Sequence, residues 1–145
     1  MEKIAVKKLR PNAVLPTYGT ASAAGADLYA CLEKPLTIAP GETVLIPTGL
    51  AMEIPVGFAG LIYARSGLSV KRGLAPANKV GVIDADYRGE FMVALLNHGK
   101  QPQTVDHGER IAQLVITPVI TPGFMEVEEL SDTARGTGGF GSTGK

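Results

Sequence analysis

Lys79-Val80-Gly81-Val82-Ile83-Asp84-Ala85-Asp86-Tyr87-Arg88-Gly89-Glu90-Phe91-Met92-Val93-Ala94-Leu95-Leu96-Asn97 sets two apolar, β-branched runs on either side of a polar stretch containing glycine. Short runs of this kind bounded by turn formers predict strands. Lys79 to Ile83 and Phe91 to Asn97 are therefore read as the arms of a β-hairpin, with Asp84 to Gly89 at its tip. Gly81, inside the first arm, predicts a bulge or a place where another group approaches the backbone closely. The same alternation of apolar run and breaker extends in both directions. Ile4 to Leu9, Ala26 to Leu32, Thr43 to Ile54, Phe58 to Ala64, Ile111 to Val119 and Phe124 to Leu130 are further strand candidates, separated by Pro11, Pro16, Pro35, Pro40-Gly41, Pro55, Pro76, Gly108 and Pro122-Gly123. The one helical candidate is Ser66 to Lys71, where a serine opens the run and Gly73 stops it. The fold class predicted is all-β, of the sandwich or jelly-roll kind.

Composition narrows the function classes. A chain of 145 residues, 45% of them hydrophobic, is long enough for one domain with its own core. Eighteen glycines and ten prolines imply many turns without reaching a disordered composition. Fourteen basic residues balance fourteen acidic ones, so no overall field draws the chain to nucleic acid or to an anionic membrane. Any anion must be held by local placement. Glu53, Arg65 and Arg110 interrupt the richest apolar regions, which argues against a membrane span. Cys31 is the single cysteine and has no internal disulfide partner, and the first residues lack the apolar core of a signal peptide. A soluble, cytoplasmic protein is expected.

The composition changes after Leu130, so the expected division is a β domain over 1–130 and an arm over 131–145. The arm holds five glycines in fifteen residues, which makes ordering costly in backbone entropy. It also carries Arg135, Phe140, Ser142 and Thr143 among sterically open amides. A guanidinium fork, glycine N–H groups and one ring suit an anionic ligand with a flat base. By composition alone the favoured reading is a plain disordered terminus or linker.

Elimination leaves loops. His98 and His107 lie in loops remote from Cys31, with no zinc spacing, so no protein metal centre is expected. No Gly-x-Ser-x-Gly elbow or Walker pattern occurs. What remains is a set of small polar sites at Gly25-Ala26-Asp27, Arg65-Ser66-Gly67, Asp84, Gly108 to Gln113, and the arm. Each of these alone has an ordinary structural reading as a surface pair, a turn acceptor or a sheet-face residue.

Their order and spacing are what distinguish them. Ala24-Gly25-Ala26-Asp27-Leu28-Tyr29, Ala64-Arg65-Ser66-Gly67-Leu68, Val80-Gly81-Val82-Ile83-Asp84-Ala85-Asp86-Tyr87-Arg88-Gly89, Gly108-Glu109-Arg110-Ile111-Ala112-Gln113-Leu114 and Arg135-Gly136-Thr137-Gly138-Gly139-Phe140-Gly141-Ser142 together resemble the five motifs of the trimeric dUTP pyrophosphatase (dUTPase) family, over nearly the whole chain. The resemblance implies a β jelly roll, a homotrimer with shared sites, and hydrolysis of dUTP to dUMP and pyrophosphate with Mg²⁺. It implies that Asp84 is the general base that activates a water for attack on the α-phosphorus, a task a carboxylate performs through its placement. Tyr87 resembles the ring beneath the deoxyribose that leaves no room for a 2′-hydroxyl. Asn78, Gly81, Val82 and Ile83 lie on the strand whose backbone would read uracil, rejecting cytosine by unpaired polar groups and thymine by a clash with its methyl. Arg65, Ser66, Gly67 and Gln113 match phosphate-contacting positions. Arg135, Gly141, Ser142 and Thr143 would add donors from a neighbour's arm, and Phe140 would stack on the base as a lid closes. Asp27 resembles a position that helps hold a hydrated Mg²⁺ otherwise chelated by phosphates. Arg110 is read as a structural ion-pair partner, and Asp86, Arg88 and the Asn97-His98-Gly99-Lys100 loop are given no role. The rival readings are the related dCTP deaminase branch, which would release ammonia, a non-catalytic dUTP-binding regulator, and a jelly-roll lectin or structural domain.

Overall fold

The computed structural model describes residues 3–141. Twelve strands and one helix follow in order: β1 (Val6–Lys8), β2 (Thr17–Tyr18), β3 (Ala26–Tyr29), β4 (Leu36–Ile38), β5 (Thr43–Pro47), β6 (Leu50–Met52), β7 (Phe58–Tyr63), α1 (Ser66–Arg72), β8 (Leu74–Pro76), β9 (Gly81–Ile83), β10 (Met92–Asn97), β11 (Gln103–Val105) and β12 (Arg110–Pro118). The main sheet has the order β2-β3-β12-β7-β9, a second has β5-β10-β8, and β1-β6 and β11-β4 form two-stranded ribbons. The architecture is all-β, as the runs and breakers predict.

The core lies between the two larger sheets. Along β10, Val93, Leu95 and Asn97 are buried while Met92 is exposed and Ala94 and Leu96 are half-buried, the period-two pattern of a strand with one face inward. Ile46, Leu74, Phe91 and Leu95 meet Leu28, Ile62, Ile83 and Leu114 in one cluster. In β12 the alternation breaks. Ile111 and Ala112 are both buried because the register shifts between Arg110 and Ala112; beyond that bulge the ordinary alternation resumes, with Gln113 and Leu114 on opposite sides of the sheet.

The hairpin expected around Asp84 does not form. β9 pairs with β7, whereas β10 pairs with β5 and β8, so the connection crosses from one sheet to the other. Its far end is tied elsewhere. The Phe91 N–H donates to Leu50 O (2.8 Å), the Thr48 hydroxyl donates to Phe91 O (2.6 Å) and the Gly49 N–H donates to the Glu90 carboxylate (2.8 Å). These bonds hold residues 90–91 against the β5–β6 turn, and the polypeptide cannot also fold back along β9. Gly81 carries no bulge, but it does mark a close approach: a Cβ there would stand 3.2 Å from both Asn78 Nδ2 and Ile62 Cβ. In α1, Ser66 is the first helical residue rather than its cap, since Arg65 occupies the cap position with extended backbone. Gly73 ends the helix as expected, in the left-handed conformation at φ 66°. The run at Phe124 to Leu130 forms no strand, and Phe124 and Leu130 are exposed.

Asn97, to which the sequence assigns no role, is fully buried. Its Nδ2 donates to Ile38 O (2.9 Å) and Gln101 O (2.8 Å), and its Oδ1 accepts from the Gly99 N–H (2.9 Å). Asn97→Ala strands three main-chain groups, and equilibrium urea unfolding is expected to show a loss of about 3 kcal/mol, since each buried unsatisfied group costs about 1–3 kcal/mol.

Candidate active site

The site residues assemble in two places. The first is a cavity of about 350 Å³ beside β9, lined by Asn78, Gly81, Val82, Ile83, Asp84 and Tyr87, with Phe91 among the residues behind them. β9 is the edge of the main sheet, so β7 takes the hydrogen-bonding groups on one side and the other side faces this space. An edge strand presents alternating N–H and C=O groups, which is the pattern a planar base can pair with. Asp84 follows directly on β9 with its side chain exposed, and its carbonyl closes a turn by accepting from the Tyr87 N–H (3.2 Å). The Tyr87 ring is 44% exposed, so one face remains open to a ligand.

The second place is built on β3, β12 and the start of α1. Gln113 lies opposite Asp27 on one side and Tyr63 on the other, and its Nε2 donates to Ala64 O (2.8 Å). Gly25 lies against this amide, since a Cβ there would stand 3.1 Å from Gln113 Cδ and closer still to Oε1. Asp27 is largely buried and grips two guanidinium groups: Arg65 Nε donates to its Oδ1 at 2.7 Å and Arg110 Nη1 to its Oδ2 at 3.4 Å. Arg110 is thus the structural ion-pair partner expected. Ser66 and Gly67 lie exposed at the start of α1. The helix is pinned at its other end by Arg72, which donates to Gln103 Oε1 (3.0 Å), Glu109 Oε1 (2.8 Å) and Thr104 O. Nothing in local sequence marks Arg72, whose partners lie 31 to 37 residues away.

The two places do not meet within one chain. None of Asp27, Arg65, Ser66, Gly67 and Gln113 lines the β9 cavity. The register gives the reason. Ile83 lies opposite Gly60 and Gly81 opposite Ile62, so Asp84 leaves the sheet at one end of β7 while Arg65 follows the other end. At about 3.3 Å per residue the two are roughly 15–20 Å apart along the strand axis.

The described part of the arm, residues 131–141, reaches neither place. Residues 119–141 contain no strand or helix, and Ile120, Phe124, Met125, Leu130 and Phe140 stand exposed. Arg135 Nε donates to Gly138 O (2.8 Å) in a local turn, and Phe140 and Gly141 have positive φ of 50° and 90°. Ser142 and Thr143 lie outside the described residues. Among the described residues no group of three or more His, Cys, Asp or Glu is placed to hold a metal ion. Both Asp27 oxygens accept from guanidinium groups. His98 faces Ser69 Oγ (3.4 Å) and His107 Nδ1 accepts from the Leu32 N–H (3.2 Å), both as loop contacts. Among the described residues no helix is long and apolar enough to cross a membrane.

The dUTPase family model matches residues 11–144. The chain belongs to the dUTPase family. Among its dUTPase relatives, a deoxyuridine 5′-triphosphate nucleotidohydrolase of Desulfitobacterium hafniense (strain DSM 10664 / DCB-2) is 53% identical over 143 residues, covering 98% of this chain and 95% of the relative. One from Hahella chejuensis (strain KCTC 2396) is 50% identical, covering 98% and 94%. The Staphylococcus bacteriophage 80alpha dUTPase, solved with dUPNHPP, superposes with a TM-score of 0.91 at 32% identity over the full length of both chains. A mutant dUTPase of phage phi11 of S. aureus, in which a structural Mg(II) ion is coordinated, has a TM-score of 0.80 at 28% identity, covering 88% of this chain and 98% of the other.

Proposed function

We propose that the chain hydrolyses dUTP to dUMP and pyrophosphate, and that the reaction takes place where the β9 cavity of one copy faces the Arg65–Gln113 cluster of another. The observation that carries this is the separation of the two clusters. A water-activating carboxylate and the phosphate donors must act on one triphosphate, yet the register holds Asp84 and Arg65 at opposite ends of β7. A second copy supplies the missing half, and a homotrimer closes the arrangement by symmetry.

In this site the edge of β9 pairs with uracil and Gly81 admits it closely. Cytosine would leave main-chain groups unpaired, which is a strong ground for rejection. Tyr87 forms the floor beneath the deoxyribose. Asp84 takes a proton from a water whose oxygen bonds to the α-phosphorus as the bond to the bridging oxygen of the β-phosphate breaks, releasing pyrophosphate. Arg65, oriented by Asp27, joins Ser66, Gly67 and Gln113 in holding phosphate oxygens with donors fixed before the reaction. Residues 131–145 act as the lid of a neighbour's site, with Phe140 against the base and Arg135, Gly141, Ser142 and Thr143 toward the phosphates. Mg²⁺, held mainly by the triphosphate itself, would supply neutralisation of phosphate charge, and Asp27, which orients Arg65, would help hold the ion's hydration shell. The water-filled cytoplasm, where nucleotides circulate, is the expected setting.

Incubation with Mg²⁺ and dUTP, dCTP, dTTP or UTP, with pyrophosphate and ammonia measured separately, tests the reading. Pyrophosphate from dUTP alone is expected. Ammonia from dCTP would place the chain in the deaminase branch, and tight dUTP binding without turnover would make it a nucleotide sensor.

A further inference from the structure

The Tyr87 ring is held by a device that the proposed reaction does not itself require. Tyr87 Oη donates to Glu90 O at 3.0 Å, which folds the side chain back over its own loop. The ring then lies across Gly89. A Cβ built on Gly89 would fall 2.5 Å from Tyr87 Cζ and 2.9 Å from Cε2, closer than non-bonded carbons approach. Gly89 has no positive φ among the described backbone angles, so the turn does not demand glycine, whereas the ring above it does. The carbonyl that receives Oη is fixed from behind. The Glu90 carboxylate accepts from the Gly49 N–H at 2.8 Å and from Arg10 Nη1 at 3.2 Å, anchoring the segment to the β5–β6 turn. Phe91, buried, sets its ring 6.1 Å from that of Tyr87 at a tilt of 34°.

We propose that Gly89 and Glu90 are the positioning residues that determine sugar choice: they fix the depth of the Tyr87 ring, and thereby the height of the floor against which a 2′-hydroxyl is tested. The proposal rests on Tyr87 lying under the deoxyribose. A side chain at position 89 must lift or swing the ring, and a ring free of the Glu90 carbonyl samples other rotamers. Either change leaves the carboxylate of Asp84 in place while altering the space below the sugar.

The test compares kcat/KM for dUTP and UTP in the full-length protein. Tyr87→Ala is expected to lower the dUTP-over-UTP ratio, and Gly89→Ala to lower it by about tenfold or more, the order of discrimination that small packing changes produce. The change should appear mainly in KM for UTP. Glu90→Ala should relax the ratio, and Glu90→Gln, which keeps an acceptor for the Gly49 N–H, should restore most of it. Tyr87→Phe, lacking only the bond to Glu90 O, should shift the ratio in the same direction by a smaller factor. If Tyr87→Ala relaxes the ratio and Gly89→Ala, folded by circular dichroism, leaves it at the wild-type value, the clamp is refuted while the reading of Tyr87 stands. An unchanged ratio in Tyr87→Ala refutes both. Should Gly89→Ala not fold, an unchanged ratio in both Glu90→Ala and Tyr87→Phe overturns the clamp.

Discussion

Asp84→Asn is expected to reduce kcat for dUTP by about 10²–10⁴-fold, the range a positioned general base contributes. The amide keeps the size of the side chain but cannot take the proton from water. Asp84 is exposed, and the turn it closes uses its main-chain carbonyl, so the substitution disturbs no buried contact. Binding of a non-hydrolysable dUTP analogue, measured by calorimetry, should remain within a few-fold of wild type because the proposed uracil contacts are to the β9 backbone. Retention of kcat within a factor of ten would remove Asp84 from the role of base.

Deletion of residues 132–145 is expected to lower kcat/KM for dUTP on the order of 10²-fold, the cost of losing alignment and water exclusion at the reacting centre. Among the described residues the last strand ends at Pro118 and no residue of the core lies beyond it, so the melting temperature should not move. That combination separates a lid from a structural brace. A second readout follows from the shared site: mixing the truncated protein with Asp84→Asn, after exchange of subunits, should recover activity, because sites form with an intact aspartate from one chain and an intact arm from another. Failure to recover any activity after verified exchange would argue that each chain closes its own site.

The strands were legible where β-branched residues ran between prolines and glycines, as in β7, β10 and β12. Three-residue strands such as β4 and β11 were not, because Leu36–Ile38 and Gln103–Val105 are too short to show a period. Adjacency in sequence misled at Asp84, where the runs on either side belong to different sheets. What decides their separation is the anchorage of Glu90 and Phe91 to the turn at Thr48–Leu50, some forty residues away. At Phe124 to Leu130 the apolar residues are interspersed with glutamates but pair with no strand among the described residues, and propensity without a partner does not make a strand. Four of the five motifs lie in the two clusters, whereas the described part of the fifth, the arm, joins neither; which motifs fall together in one chain was not legible, since that follows from the register of β7 against β9. Asn97, Arg72 and the Arg10–Glu90 pair, 80 residues apart, leave no local signature at all.

In the proposed site Gly81 to Ile83 would address the base with peptide groups that every amino acid shares. Such a code would leave Val82, whose side chain is largely exposed, free to drift without altering which base is admitted, but not Gly81, where a Cβ would stand 3.2 Å from Asn78 Nδ2 and Ile62 Cβ. Choice of the base would then depend on the shape of the polypeptide trace and choice of the sugar on one aromatic ring, and the second of these would be much the easier for mutation to retune.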